Sequence, residues 1–162
     1  ERQALEIASW ADNIYVKIPI TNTKSEASVE LINLLSHKGV KINVTAIMTI
    51  NQLNSVLTGL SKGPASYVSI FAGRIADAGI DPLPIMAEAV GILNTYSNIE
   101  LIWASPRELY NIVQADSIGC HIITATNNIL NKLPTLGKDL TKFSLETVQM
   151  FYNDANDAGY TL

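Results

Sequence analysis

Lys17 is the residue whose position in the chain most strongly suggests chemistry. It lies within a predicted strand at about residues 14–20, where aliphatic residues recur with a period of two and share one face: Ile14, Val16, Ile18 and Ile20. Lys17 therefore lies on the opposite face. If protein covers both faces, an enclosed ammonium is costly unless it is paired or loses its proton, and a neutral lysine amine attacks carbonyl carbons. Lys17 is thus a candidate Schiff-base former; the alternative is a strand-edge lysine whose head lies in water.

Polar residues occupy one face of each of the next two predicted strands. Asn43 and Thr45 share a face in the second strand, as Ser69 and Phe71 do in the third. The residues predicted for the other faces are aliphatic: Ile42, Val44 and Ala46, then Val68, Ile70 and Ala72. Judged from the residues alone, Asn43 and Thr45 could equally form a hydrogen-bonded pair within the sheet, and Phe71 is a wall residue in either interpretation.

Two arginines and a serine follow the third and fourth predicted strands. Arg74 comes after the third strand, and Ser105 and Arg107 come after the fourth. The planar forked donors of arginine match phosphate oxygens, and a serine hydroxyl adds a further donor. A helix predicted to start at about residue 107 would add its positive dipole. The simpler alternatives are a surface ion pair of Arg74 with Asp77 and an ordinary helix start at Ser105–Arg107.

These residues belong to a regular alternation of short β-rich runs and helix-like segments. Strands are predicted at about 14–20, 41–46, 66–72, 99–104 and 121–124. Helices are predicted at about 24–38, 49–60, 82–95, 107–117, 126–133 and 144–157, with Thr49 as an N-cap and Gly39 as a C-cap. Five consecutive βα units predict an α/β protein with a parallel sheet.

The polar strand faces favour a (β/α)8 TIM barrel over an open doubly wound sheet. No GxGxxG or P-loop pattern follows a strand, whereas inward residues at the mouth of a barrel can be polar. A complete barrel needs about 250 residues, with about 200 as a lower bound, and this chain has 162. We therefore expect residues 1–162 to form a single domain that supplies about the last five βα units. We expect three strands to precede residue 1 and to cover an otherwise exposed sheet edge.

Composition excludes several classes of protein. Hydrophobic residues make up 48% and charged residues 16%, with a net charge of -4, which is typical of a globular protein and argues against a general nucleic-acid-binding surface. No apolar run approaches the ~20 residues that a membrane span needs. The one cysteine, Cys120, excludes an intrachain disulfide, fits a cytoplasmic protein, and is most simply a small core residue. Neither His37 nor His121 has a second ligand at metal spacing.

Four segments resemble, in order and spacing, the strand-end motifs of the transaldolase family, which includes the fructose-6-phosphate aldolases. They are Val16-Lys17-Ile18-Pro19, Asn43-Val44-Thr45-Ala46, Tyr67-Val68-Ser69-Ile70-Phe71-Ala72-Gly73-Arg74 and Ala104-Ser105-Pro106-Arg107. The resemblance covers nearly the whole chain. The aldolases carry a tyrosine acid/base where this chain has Phe71, which favours a transaldolase proper.

The resemblance implies a role for each of these residues. It assigns the Schiff base to Lys17, on the fourth barrel strand, with Asn43 and Thr45 as the other catalytic residues. It assigns substrate contacts to Ser69 and Phe71. The residues that it assigns to the phosphate are Arg74, Ser105 and Arg107. The acid/base aspartate and glutamate of the family would lie on strands before residue 1.

The implied reaction is transfer of a dihydroxyacetone unit between sugar phosphates through a lysine imine, in the cytoplasmic pentose phosphate pathway. The resemblance implies no metal or other cofactor, and sugar phosphates as partners rather than nucleic acid or membrane. The terminal helix, with Val148 and Phe151 on one side, is most simply a packing helix. The resemblance implies that such a helix can instead cover the barrel mouth or mediate assembly into a homo-oligomer. The alternatives are an aldolase that releases free dihydroxyacetone and a truncated, non-catalytic barrel fragment.

Overall fold

The computed structural model describes residues 1–160, which form alternating helices and strands. The strands are β1 (Val16–Pro19), β2 (Ile42–Ile47), β3 (Ser66–Ile70), β4 (Ile99–Trp103) and β5 (Ile122–Ile123). The helices are α1 (Arg2–Ala8), α2 (Val29–His37), α3 (Ile50–Leu60), α4 (Ala72–Asp77), α5 (Leu83–Leu93), α6 (Tyr110–Ser117), α7 (Asn127–Leu130) and α8 (Leu140–Asp157), with a 3-10 turn at Leu133–Thr135. Residues 1–160 therefore contain five strands, the number that was predicted.

The sheet has the strand order β1-β2-β3-β4-β5, and every neighbouring pair is parallel. An open doubly wound sheet reverses its strand order at a switch point. The order here runs in one direction only, as it does in a barrel. The fold is therefore part of a (β/α)8 barrel, which confirms the predicted fold class.

The two faces of the sheet differ in character. Aliphatic and aromatic strand residues on the helix-covered face are buried: Val16, Ile42, Val44, Val68, Ile70, Leu101 and Trp103. Helix residues that join them in the core include Ile32, Leu35, Leu53, Leu57, Met86 and Leu93. The opposite face is mixed: Thr45, Ser69 and Ile102 are buried, and the half-buried or exposed side chains are Tyr15, Lys17, Asn43, Tyr67 and Glu100. This mixed face is the inner face of the part-barrel, and the candidate chemistry lies on that face.

Short-range hydrogen bonds set the start of α3 as the sequence predicts. Thr49 Oγ1 accepts the backbone N–H of Gln52 at 3.2 Å, and Gln52 Oε1 accepts the N–H of Thr49 at 3.2 Å. This reciprocal capping box satisfies two backbone donors that have no partner inside the helix. Gly39 follows α2 with φ +79, as predicted for a helix C-terminus.

The predicted starts of α2 and of the terminal helix are wrong. Residues 21–28 form a loop rather than the first turns of α2, because Asn22 Oδ1 accepts the N–H groups of Lys24 and Glu26 at 2.9 and 3.0 Å. The terminal helix starts at Leu140 rather than at about residue 144, because Asp139 Oδ1 accepts the N–H of Lys142 at 2.8 Å and caps it.

Two helices, α1 and α4, were not predicted. The six residues of α4 follow β3 directly, where the strand was expected to continue to residue 72. Six residues are too few to display a helical period, and the first turn carries no polar N-cap. Phe71 itself leaves the extended conformation at φ -85 and ψ 63. The strand therefore ends at Ile70.

The chain divides into two compact units. The first, Glu1–Thr126, contains the whole sheet and α1–α6, and the second begins at Asn127 and contains α7, the 3-10 turn and α8. The prediction of a single domain stays a prediction.

Val148 and Phe151, expected to make α8 a packing helix, are 58% and 61% exposed. None of the helices within residues 1–160 combines the length and apolar character that crossing a bilayer requires.

Candidate active site

Lys17 and Asn43 lie side by side on the inner face. They are paired in the register between β1 and β2, and paired residues of neighbouring strands point to the same side of a sheet. Because β1 is an edge strand, the Lys17 side chain is exposed. The described residues thus leave room around the Lys17 amine and do not themselves enclose it.

Ser69 orients the Asn43 side chain. Its hydroxyl donates to Asn43 Oδ1 at 2.7 Å across β2 and β3, and Ser69 is only 2% exposed. Since Oδ1 is the acceptor of this bond, the two N–H donors of Asn43 Nδ2 remain for a ligand. Within residues 1–160 neither of these two N–H groups donates a hydrogen bond. The predicted inward set of Lys17, Asn43 and Ser69 therefore lies on one face.

Thr45 presents an unpartnered hydroxyl near the carboxyl end of β2. It is 6% exposed, and Oγ1 has no hydrogen-bond partner among the described residues. A buried polar group without a partner costs about 1–3 kcal/mol. A bound water or a substrate hydroxyl would remove that cost. The alternative that Asn43 and Thr45 bond to each other is not observed, because Asn43 bonds to Ser69 instead.

A bulge follows Thr45 and interrupts the regular alternation of side chains that was predicted for β2. Ala46 has φ +61, and the register with β3 shifts between Val44 and Ile47. The extra residue returns Ile47 to the core face, where it pairs with Ile70 and is fully buried. Ala46 was expected to share the face of Val44 and is instead the left-handed residue of the bulge. Bulges of this kind are common beside functional sites.

Phe71 and Arg74 stack beyond the end of β3. The Phe71 N–H donates to the Ile47 carbonyl at 2.9 Å, which holds the residue against the end of β2. The Arg74 guanidinium carbon lies 5.4 Å from the centroid of the half-buried Phe71 ring. This cation–π contact holds the exposed Arg74 without using its N–H donors.

Ser105 follows β4 in a left-handed conformation, with φ +59. Its carbonyl lies against Gly73 of α4, where an added Cβ would stand 1.5 Å from the Ser105 oxygen. The Gly73 N–H also donates to the Ala104 carbonyl at 3.3 Å. These backbone contacts place the segment after β4 directly beside α4, the helix that carries Arg74.

Arg107 is ion-paired with Asp77. Nε donates to Oδ1 at 3.0 Å and Nη2 donates to Oδ2, and both side chains are about half exposed, at 50% and 51%. The hydrogen bonds and charge of Arg107 lower the pKa of Asp77, and the bonds to Asp77 raise the pKa of Arg107. The sequence suggested Asp77 as a partner for Arg74; the direct pair is with Arg107.

The predicted helix start beside Arg107 is wrong. α6 begins at Tyr110, because Asn111 Oδ1 accepts the backbone N–H groups of Arg107 and Glu108 at 2.7 and 3.2 Å and holds them outside the helix. α6 therefore starts after Ser105 and Arg107, and the helix dipole expected at these two residues was predicted in the wrong place.

An aromatic pair on the inner face was missed. The rings of Tyr15 and Tyr67 stack with centroids 4.2 Å apart, and Lys41 Nζ lies 5.7 Å from the Tyr15 centroid. Interaction with the Tyr15 hydroxyl and burial raise the pKa of Tyr67. The period-two pattern of the sequence contained this signal, because Tyr15 shares a strand face with Lys17 and Tyr67 shares one with Ser69.

The predicted residues thus form two groups. Lys17, Asn43, Thr45 and Ser69 lie on β1–β3. Arg74, Ser105 and Arg107 lie on or against α4, and Phe71 connects the groups through its contact with Arg74. The role of each residue stays a prediction. The arrangement defines a class: a (β/α)8 barrel with a lysine, an amide and hydroxyls on inner strand faces and two arginines beyond the strand ends.

Comparison with known proteins narrows this class to one family. The model of the family described as Transaldolase/Fructose-6-phosphate aldolase matches residues 1–162. The chain belongs to that family.

Curated relatives carry a consistent name. A "Probable transaldolase" from Streptococcus equi subsp. zooepidemicus (strain MGCS10565) is 36% identical over 132 residues, covering 81% of this chain and 58% of the relative. One from Thermoanaerobacter sp. (strain X514) is 38% identical over 133 residues, covering 82% and 58%. One from Methanococcus maripaludis (strain C7) is 34% identical over 146 residues, covering 88% and 64%. The chain thus spans about six-tenths of the length of these relatives.

Proposed function

We propose that this chain carries the Schiff-base half of a transaldolase site, which transfers a dihydroxyacetone unit between sugar phosphates. The observation that carries the proposal is the placement of Lys17 beside Asn43, whose amide is oriented by Ser69. The family and the names of the relatives support an aldolase-type activity in general. A cytoplasmic location and a place in the pentose phosphate pathway belong to the same proposal.

The proposed chemistry begins at Lys17. Its neutral amine adds to the C2 carbonyl of a ketose phosphate, and uptake of one proton from an acid followed by loss of water from the adduct leaves a protonated imine. A base removes the proton of the C4 hydroxyl, the C3–C4 bond breaks, and its electron pair moves into the imine to form an enamine. An aldose phosphate leaves. The enamine then attacks the aldehyde of a second aldose phosphate, and hydrolysis frees Lys17 and the new ketose phosphate.

The residues around Lys17 take supporting roles in this proposal. The free N–H donors of Asn43 Nδ2 would bind hydroxyls of the donor sugar. The unpartnered Thr45 hydroxyl would hold a substrate hydroxyl or the water of imine formation and hydrolysis. By the resemblance, an aspartate and a glutamate on strands that precede β1 would transfer the protons.

The phosphate would lie between the arginines. Arg74 keeps its guanidinium donors free while its face lies against Phe71. Arg107 has one edge bonded to Asp77 and further N–H donors that no described residue accepts. Phe71 offers no hydroxyl where the related aldolases have a tyrosine, so the proposal favours transfer over release of free dihydroxyacetone.

Borohydride trapping tests the imine. The complete gene product is incubated with fructose 6-phosphate and borohydride, and the mass and position of the adduct are read by mass spectrometry. We expect a reduced dihydroxyacetone adduct on Lys17 and none in Lys17→Ala. Lys62→Ala is the matched control, because Lys62 is exposed in the loop before β3, at the other end of the strands.

The outcomes separate the alternatives. An equal adduct in Lys17→Ala would remove Lys17 from the reaction. An adduct on Lys17 that yields free dihydroxyacetone even when an acceptor aldose phosphate is present would identify an aldolase. Absence of any adduct in a protein with native circular dichroism would leave a non-catalytic barrel.

A further inference from the structure

We propose that Asp77 is a positioning residue that holds Arg107 in the orientation in which it receives the phosphate of the substrate. The inference rests on the proposed phosphate site and adds to it a residue that the sequence did not assign. It is carried by the bidentate contact between Asp77 and Arg107 and by the backbone contact that seats α4 against the segment after β4.

The geometry of the pair leaves a defined part of the guanidinium free. Asp77 accepts from Nε and Nη2, which form one edge of the planar group. Of the three remaining N–H donors, one from Nη1 and one from Nη2 form the neighbouring edge, and the second N–H of Nη1 points away from it. That edge makes a second two-pronged donor of the kind that matches two phosphate oxygens. A carboxylate that occupies one edge therefore sets the plane in which the other edge is presented.

The carboxylate is delivered from a closely seated helix. Gly73, in the first turn of α4, approaches the Ser105 carbonyl so closely that no side chain fits between them. Asp77 lies four residues later on the same short helix, so its position relative to Arg107 is set by this backbone contact. α4 would thus supply one cation directly, Arg74, and orient the second through Asp77.

The charge of Asp77 acts against its positioning effect. Asp77 interacts electrostatically with both Arg74 and Arg107. Its carboxylate offsets part of the positive charge that attracts phosphate, so the proposed role requires that the orientation of Arg107 outweigh this loss. Since the Asp77 and Arg107 side chains are half exposed, solvent screens the pair and the expected effect on phosphate binding is modest.

The test measures how the trapped fraction depends on substrate concentration. The complete gene product and its variants are titrated with fructose 6-phosphate and, separately, with dihydroxyacetone, which carries no phosphate. We expect Asp77→Asn to raise the half-saturating concentration of fructose 6-phosphate about two- to fivefold. The value for dihydroxyacetone and the trapping at saturation should stay unchanged. Asp77→Glu, which keeps a forked carboxylate, should recover part of the loss.

Matched variants make each outcome decisive. Asp12→Asn removes the same charge from an exposed residue before β1, at the other end of the strands, and should change neither titration. Arg107→Ala should raise the fructose 6-phosphate value by about tenfold or more. An unchanged or lower value in Asp77→Asn, or an equal shift with dihydroxyacetone, would overturn the role of Asp77. Failure of Arg107→Ala to discriminate between the substrates would instead reject the phosphate site, and loss of trapping in the parent would reject the proposed function.

Discussion

At the residue scale, the candidate site is defined by which polar atoms have partners and which do not. Asn43 is held by Ser69, whereas the buried Thr45 hydroxyl has no partner among the described residues. Proteins satisfy nearly all buried polar groups. An unsatisfied hydroxyl beside an oriented amide therefore identifies the end of β2 as the place where a small polar ligand or water is expected.

At the same scale, Cys120 is a partly buried residue that packs against the core. Its thiol donates to the Ile122 carbonyl at 3.4 Å and lies 3.7 Å from the Leu101 carbonyl. Burial is the main cause that raises the pKa of the Cys120 thiol, and only the thiolate reacts readily. The sequence-based interpretation of Cys120 as a core residue agrees with this environment.

We predict that the native Cys120 thiol reacts with a disulfide reagent on the order of tenfold more slowly near neutral pH than the same chain in urea. The folded state raises the pKa of the thiol, so the unfolded chain loses the thiol proton first as pH rises. The contribution of Cys120 to folding stability is therefore present below the unfolded thiol's pKa of about 8.5 and is lost as pH rises above it. Absorbance kinetics measure the rates, and Cys120→Ser shows any background. Equal rates in the native and denatured states would contradict the prediction that the fold shields the Cys120 thiol.

At the element scale, α4 is the helix on which the phosphate group of residues depends. It carries Arg74 and Asp77, and its seat against Ser105 requires glycine at position 73. Ser105 itself has a positive φ, so the loop that accepts Gly73 is already in a sparsely populated conformation. The close approach of the helix and the conformation of the loop thus depend on each other.

A pair of glycine substitutions tests this contact. Gly73→Ala should destabilise the protein by about 1–3 kcal/mol, because the new methyl group meets backbone atoms that cannot rotate away. Gly91→Ala, within α5, meets nothing within 4 Å and should be neutral or stabilising by up to about 1 kcal/mol. Urea unfolding measures both. Helix propensity favours alanine at either position, so similar effects in the two variants would show that the contact with Ser105 does not govern stability.

At the scale of the whole molecule, β1 and β5 are the outer strands of the sheet within residues 1–160. β1 carries Lys17 and ends at Pro19, which has no N–H to donate, and β5 has only two residues. In a complete (β/α)8 barrel both strands would pair with further strands of the barrel. Within residues 1–160 the Lys17 side chain is exposed, as the proposed reaction requires.

The division into two units predicts where a protease cuts first. Residues 127–139 contain only a four-residue helix and a 3-10 turn, and most of their side chains are exposed. Limited thermolysin digestion should therefore release a fragment that ends near Thr126 before it cuts within β1–β5. The loop at residues 21–28 is the internal comparison, since it is largely exposed but tied by Asn22 and by the bridge between Thr21 and Ala27. First cuts within that loop would contradict the prediction.

The parts of the fold that depend on neighbouring residues could be predicted from the sequence. Alternation of side chains along a strand is local, so the inner face of Lys17, Asn43 and Ser69 followed from the period of two. The N-cap at Thr49 was equally accessible, because its capping box spans only the four residues from Thr49 to Gln52. The order of four strand-end motifs pointed to the family that the comparisons then showed.

The remaining features depend on distances between segments that the local pattern does not contain. Asp77 and Arg107 are 30 positions apart, and only the packing of α4 against the end of β4 decides that Asp77 pairs with Arg107 rather than Arg74. The bulge at Ala46 arises from the register between β2 and β3, and the need for Gly73 arises from the path of Ser105. The sequence by itself determined the barrel units and the inward face that carries Lys17, because both follow from short-range periodicity. The tertiary structure alone decided which charged groups meet, because their meeting requires helices and strand ends from separate βα units to be placed within bonding distance.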